Sequence, residues 1–529
     1  MNVNVSKSTE SVEAMNKKPQ PLSNSLLIRE RSGSPWFVFL SSFLISFTGF
    51  VFGWDTGTIS GFINMNDFLE RFGQKTSAGF YELSRVRSGL IVSIFNIGCM
   101  IGGVTLSKFG DVYGRKVGLV ISMSLYIAGC IIQITSVTSW IQYFIGRIVT
   151  GLAIGSNCVL APLFLSEISP KAIRGSVVSV FQLLTTMGMF LGYCACYGTY
   201  HNSIGSSQWR LPLGLCFLWA LIAIAGIVIC PESPRYLAKK GLIAKAKQSI
   251  SKMKRCSENS PEVIYEITLL LKSIDEENDA GSSSWKELLT GKPLILYRIV
   301  MGILLETLQE LTGDNYLFYY GTTIFKSVGL SDSFLTSIII GAVNFCSTFL
   351  AFYAIDHLGR RNTLLIGSAG MLCCLIIYAS IGVKLLYPAE FGVNPVKTVG
   401  DVMIFLCCLF IFFFAVTWGP SLYVIVGESY PLRIRSKAMG ITIGSNWLWN
   451  FLIAFFTPYI TSAIHFAYGY VFSGATVFAL ILVYFFVPET KGMQLEDVDF
   501  MYQHLSFGSA YRARANYEKA RANQMLENR

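Results

Sequence analysis

The chain has 529 residues, of which 52% are hydrophobic and only 14% charged, and its mean hydropathy is +0.51. No ordinary soluble domain of this length carries that balance, so the sequence excludes a water-borne globular protein. The net charge of +10 comes from Lys and Arg between apolar runs, with no basic groove or interleaved aromatic platform, which excludes a nucleic-acid partner.

Residues 1–35 are polar and Ser-rich and are expected to form a cytoplasmic tail. The first apolar run starts too late and is too long for a cleavable leader, so an uncleaved first span is expected. Twelve runs of about 20 residues follow, each long enough to cross a bilayer core. They lie near 36–57, 88–107, 117–137, 140–164, 175–197, 210–230, 298–325, 333–355, 362–386, 402–426, 438–460 and 466–487. The expected organisation is a six-helix half over 36–230, a cytoplasmic loop over 231–297, a second six-helix half over 298–490 and a cytoplasmic tail over 491–529. Within the loop, 244–253 and 261–272 alternate apolar and charged residues at helical spacing and predict short amphipathic helices. The fold class is an all-α membrane bundle.

Orientation follows from the cations. Lys108, Arg115 and Lys116, then Arg235, Lys239, Lys240 and Arg255, then Arg360, Arg361, Arg433, Arg435 and Lys437 all fall on one side if the helices alternate. The positive-inside bias makes that side, and both termini, cytoplasmic. The 13 cysteines lie largely within or at the ends of apolar runs, without zinc-type spacing, and are expected as packing residues. No metal and no cofactor is expected.

The halves repeat each other in words as well as in runs. Asp111-Val112-Tyr113-Gly114-Arg115-Lys116 is echoed by Asp356-His357-Leu358-Gly359-Arg360-Arg361. Glu167 through Arg174 is echoed by Glu428 through Arg435, and Pro231-Glu232-Ser233 by Pro488-Glu489-Thr490. The offsets are 245, 261 and 257 residues, so whole halves are duplicated. Two like-oriented membrane halves are built to rock about a central site, which implies a carrier. The repeated acids and bases sit where short loops meet the membrane surface, and a gate is expected. Glu167 would pair with Arg174 and Glu428 with Arg435. Together with Asp111, Arg115, Asp356, Arg360, Glu232 and Glu489 they would knit the two halves on the cytoplasmic face.

Together these words resemble the sugar porter family of the major facilitator superfamily over about 450 residues, from Phe52 to Gly492. Gly53-Trp54-Asp55-Thr56-Gly57-Thr58, Gln309-Glu310-Leu311-Thr312-Gly313-Asp314-Asn315-Tyr316 and Tyr319-Tyr320-Gly321-Thr322 look most like fungal, yeast-type hexose transporters. The resemblance implies a major facilitator fold of 12 transmembrane helices. It also implies hexose as substrate: glucose, with fructose, mannose, galactose or xylose as further candidates. The setting would be a plasma membrane and the working unit a monomer that does no chemistry on its sugar.

Sugar hydroxyls both donate and accept, so side-chain amides within the membrane suit them. The resemblance maps the family's sugar contacts onto Gln182, Gln309, Asn315, Asn344 and Asn446, with Tyr423 at an aromatic position that is often Trp in relatives. Glu310 is a departure, because the family usually has a second glutamine there, and Glu306 one turn earlier is another. An ionised carboxylate accepts but does not donate, so Glu310 is expected to be protonated and to donate to sugar. Asp55 and Arg147 are the other charges inside the runs and are expected to face each other, since burying either alone is costly. In sugar/proton symporters such a pair couples proton binding to transport. Facilitated diffusion by alternating access is the favoured expectation. Proton symport through Asp55 and Arg147, or a non-transporting glucose sensor, are the alternatives.

Overall fold

The computed structural model describes residues 36–76, 79–169, 174–279, 285–327, 333–387, 396–431, 434–493, 495–505, 508 and 510–527. Six long helices make the first half: α1 (Trp36–Phe62), α2 (Arg85–Thr105), α3 (Arg115–Ile134), α4 (Trp140–Ile168), α5 (Arg174–Asn202) and α6 (Ser207–Ile229). The second half begins with a broken span, α7 (Ile295–Glu310) and α8 (Asp314–Ser327), followed by α9 (Ser333–Leu358) and α10 (Arg360–Lys384). A second broken span, α11 (Lys397–Val416) and α12 (Trp418–Ser429), precedes α13 (Arg435–Ile464) and α14 (Tyr468–Phe486). Each of α1 to α6, α9 and α10 contains a stretch long and apolar enough to cross a bilayer, as do α11 with α12 and α13 with α14 taken together.

The runs expected at 298–325 and 402–426 are therefore each two helices. Gly313 takes a φ of +92° between α7 and α8, a conformation that suits glycine. Thr312 Oγ1 closes the end of α7 on Gln309 O at 2.7 Å. Asp314 then opens α8, where an acid meets the positive end of the helix dipole. Small residues let backbones touch elsewhere in the bundle. Gly98 and Gly102 of α2 lie against α4, and Gly151 and Gly155 of α4 lie against α2, leaving no room for side chains.

The stretches expected as amphipathic helices in the loop fall in Ile243–Lys254 and Pro261–Asp279, and a further short helix, Pro234–Lys239, precedes them. They share a small apolar core around Leu237, Ile250 and Val263. The last tail is more ordered than its charged composition suggests. Helix Leu495–Gln503 docks beneath the second half, where Asp499 pairs with the buried Arg298 and the Tyr502 ring covers the guanidinium at 4.0 Å.

The repeated words form two matching clusters. Arg115 reaches Glu167 with Nε and Nη2 at 3.1 and 3.0 Å, and Asp111 at 2.5 Å. Arg360 reaches Glu428 in the same bidentate way, at 3.2 and 2.9 Å. Glu232 accepts from the backbone N–H of Arg115 at 3.1 Å, and Glu489 from those of Arg360 and Arg361 at 2.9 and 3.1 Å. Each carboxylate thus caps the first turn of a helix. Burial pushes the Glu232 carboxyl above its ordinary value, against the pull of those backbone donors.

In the second half this differs from the expected pairing, since Glu428 takes Arg360 and Arg435 turns to Tyr430 O, while the expected pairing of Glu167 with Arg174 falls on a side chain outside the described residues. The seen partner of Glu167 is Arg115 and that of Glu428 is Arg360, and both pairs lie inside one half rather than between halves. The reason is local. Gly114 and Gly359 turn the chain so that the next residue, the arginine, begins a helix beside the end of its own half's neighbouring span. Arg435 instead donates to Tyr430 O at 3.2 and 3.1 Å. The side chains of Arg174 and Asp356 lie outside the described residues.

Gly114 and Gly359 have φ of +114° and +89°, and a methyl group at either would meet Glu232 or Glu489. Gly114→Ala and Gly359→Ala are each expected to cost about 1–3 kcal/mol. Thermal unfolding of the purified protein in detergent checks it, and unchanged midpoints would show that the turns relax.

Candidate functional site

Polar side chains collect at the break between α7 and α8. Asn446 of α13 donates to Glu310 Oε1 at 2.8 Å and to Gln309 Oε1 at 3.2 Å. Asn315, in the first turn of α8, donates to Glu310 Oε2 at 2.5 Å. Gln309 Nε2 spans to the carbonyls of Trp418 and Gly419 at 3.1 and 3.4 Å, tying one broken span to the other. Gln309, Glu310, Asn315 and Asn446 are all buried. Four of the expected site residues therefore form one connected network, with three of these five bonds among themselves and two to backbone carbonyls of α12. Both Glu310 oxygens already accept from amides, so the donor role expected of it would require one of these bonds to be given up.

The other expected residues stand apart from that network. Asn344 of α9 turns its amide to Met189 Sδ of α5 at 4.0 Å. Gln182 is half-buried on α5. Tyr423 of α12 keeps 46% of its surface accessible, although its titratable neighbours include Glu306, Glu310 and, from the other half, Cys158. Trp418 is fully buried and donates to Leu364 O and Ser368 Oγ at 3.1 and 2.9 Å, which fixes it inside the second half.

Asp55 of α1 and Arg147 of α4 do face each other, at 2.5 Å, and are 3% and 2% exposed. Tyr126 adds a hydroxyl to Asp55 at 3.5 Å. The guanidinium lies over the Phe95 ring at 4.5 Å. Phe52 stacks on Phe95, and Trp447 meets Phe52 edge-on at 6.0 Å. A run of rings therefore joins the charge pair of the first half to the residue beside Asn446.

Sequence reasoning missed one junction. Asn96 of α2 donates to Asn450 Oδ1 of α13 at 2.6 Å, and Tyr319 of α8 donates to the same oxygen at 3.2 Å. The available signal was a lone amide in the second apolar run, Asn96, and a second amide in the eleventh, Asn450. Further bonds between halves run outward from here. Tyr193 donates to Phe318 O at 2.9 Å, and Ser60 and Thr322 share a bond at 3.3 Å. Tyr200 stacks on Phe334 at 4.4 Å. These contacts lie from the middle of the bundle toward the face opposite the basic loops, so that end is drawn together. Among the described residues, no group of three or more His, Cys, Asp or Glu side chains is placed to hold a metal.

Two repeated halves, matching charge clusters on one face and a buried polar network where two broken spans meet define a secondary carrier of the major facilitator fold. That network is made of hydrogen-bonding side chains rather than an apolar lining. The chain belongs to the Sugar (and other) transporter family, whose model matches residues 41–502. It is 55% identical over 461 residues to the low-affinity glucose transporter HXT3 of Saccharomyces cerevisiae, covering 87% of this chain and 81% of that one. It is 55% identical over 470 residues to the low-affinity glucose transporter of Kluyveromyces lactis, with coverage of 88% and 82%. The high-affinity hexose transporter HXT6 of S. cerevisiae is 55% identical over 462 residues, with coverage of 87% and 80%. Among solved structures, the proton:xylose symporter XylE bound to 6-bromo-6-deoxy-D-glucose matches with a TM-score of 0.72 at 25% identity, covering 88% of this chain and 99% of that chain.

Proposed function

We propose that the chain carries hexoses, glucose foremost, across the plasma membrane by facilitated diffusion with alternating access. The carrying observation is the amide and carboxylate network of Gln309, Glu310, Asn315 and Asn446 at the α7–α8 break. A sugar entering it would exchange internal amide bonds for bonds to its hydroxyls, which both donate and accept. Gln182, Asn344 and Tyr423 complete the contacts in this reading. Fructose, mannose, galactose and xylose are further candidates. The names of the yeast relatives support the substrate class.

The basic face is the cytoplasmic one, with both termini on it, because Lys and Arg concentrate there. The chain works as a monomer and does no chemistry on its sugar. The Arg115 and Arg360 clusters act as two rigid corners, each holding its own half together at that face while the halves rock. A second reading, sugar/proton symport, is favoured by one observation: the buried Asp55–Arg147 pair.

Expression in a cell without hexose carriers of its own separates these readings. Labelled glucose uptake is expected to appear, to survive a protonophore and to stop at the external concentration. Accumulation that collapses with the protonophore would establish symport. No uptake from protein at the cell surface would leave a receptor that keeps the fold.

A further inference from the structure

We propose that residues 510–521 form a docking surface for anionic phospholipids at the edge of the basic face. The segment lies beyond residue 502, where the match to the family model ends. The adjoining α14 sets its depth in the membrane. Val477, Phe478, Ile481, Tyr484 and Phe485 are exposed and recur at helical spacing, the apolar stripe of a helix that faces lipid. The last two stand in the final turn of α14, where aromatic rings sit at the level of the lipid headgroups. Tyr511 stacks on the Tyr484 ring at 5.7 Å, with 13° between the planes. Arg361 lies over Tyr484 at 5.1 Å and Arg512 over Tyr511 at 5.2 Å. Two stacked rings, each with its own guanidinium, are thus held at headgroup level. At the matching corner of the first half Lys116 donates to Val228 O, as Arg361 does to Tyr484 O, and a valine stands where the ring does.

The charge left over on this edge is positive. The helix Ala513–Glu527 buries Ala513 and Tyr517 against Val498, Met501 and Tyr502, while Arg514, Glu518, Lys519 and Arg521 are exposed. Arg514 pairs with Glu518, and Arg521 with Asp497. The side chains of Arg361, Arg512 and Lys519 pair with no carboxylate among the described residues. A phospholipid phosphate supplies the missing charge and the acceptor oxygens, and its acyl chains lie along the apolar stripe of α14. An acidic soluble protein would match the cations but not the rings and the stripe beside them. With this segment held at the surface, Leu495–Gln503 stays in place too, and with it Asp499 and Tyr502 on Arg298.

The full chain in nanodiscs gives the test, because both leaflets are then alike and the result does not depend on which face is cytoplasmic. Hydrogen exchange of the backbone amides of 510–521 is followed in phosphatidylcholine, with and without added phosphatidylserine. The anionic lipid is expected to slow exchange at least about fivefold, the factor for the ~1 kcal/mol that one cation gains at such a surface. High salt, which screens exposed charges, is expected to abolish the slowing. Arg512→Gln combined with Lys519→Gln changes two exposed side chains. It is expected to remove most of the difference between the lipids and to leave exchange in phosphatidylcholine as in the native chain. Equal exchange of the native chain in the two lipids overturns the inference, and so does a native-like difference in the double variant. Inorganic phosphate that slows exchange equally in phosphatidylcholine discs makes this a site for a soluble anion and overturns it as well. None of these outcomes bears on the hexose reading, which sugar uptake tests by itself.

Discussion

Arg147→Ala is expected to leave little folded protein. Asp55 and Arg147 join α1 to α4 at 2.5 Å with almost no exposure, and removing the cation leaves a buried carboxylate beside a single hydroxyl at 3.5 Å. Breaking such a pair from one side costs about 3–5 kcal/mol, a large part of a total stability of about 5–15 kcal/mol. The ring stack from Phe95 through Phe52 to Trp447 would lose the guanidinium that covers it, so the damage should reach the central site. Surface expression and the thermal midpoint of detergent-solubilised protein measure the loss. Asp55→Asn combined with Arg147→Gln should recover part of it, because no charge is then left alone. A stable Arg147→Ala protein would show that water or movement relieves Asp55. If the double variant folds and still equilibrates sugar, the pair is scaffold; if the native protein concentrates sugar and the double variant only equilibrates it, the pair couples protons.

The duplication was legible because each repeated word has a mechanical need behind it. A glycine must turn the chain, an arginine must begin the next helix, and a glutamate must cap it. The partners were not legible in the same way. Glu167 and Arg174 are near in sequence, yet the seen partner of Glu167 is Arg115, 52 residues earlier. Chain proximity says nothing about how the end of α4 packs on the start of α3. Gly313 stands at the break in the seventh span, whereas the break in the tenth falls at Thr417, two residues before Gly419-Pro420, which lie inside α12. Asp499 carried no signal at all. It is one acid in a charged tail, and its partner Arg298 lies 201 residues away. The face shared by Glu306 and Glu310 followed from their spacing. That Glu310 takes amides on both oxygens depends on where Asn446 and Asn315 turn their side chains, and no pattern along the chain encodes that choice.

Asn446→Ala and Glu310→Gln should then have opposite outcomes, although they touch the same hydrogen bond. Asn446 donates to both Gln309 and Glu310. Truncating it strands two buried acceptors and removes a group that a sugar would use. Each stranded group costs about 1–3 kcal/mol, so hexose kcat/KM is expected to fall by at least about tenfold, the factor for 1.4 kcal/mol. In Glu310→Gln the shape is kept. Its carbonyl oxygen still accepts from Asn446, and its new amide can meet Asn315 once that side chain offers its oxygen instead of its nitrogen, since an amide does both. A buried acid is also removed from the row Glu306, Glu310 and Asp314. Hexose transport is therefore expected to stay within about threefold of native, less than one neutral hydrogen bond of about 1 kcal/mol. Zero-trans uptake, normalised to protein at the surface, reads both variants. Equal and severe losses would mean that the site needs the charge of Glu310 rather than the amide net around it, and a proton held there would then have to be part of the transport cycle.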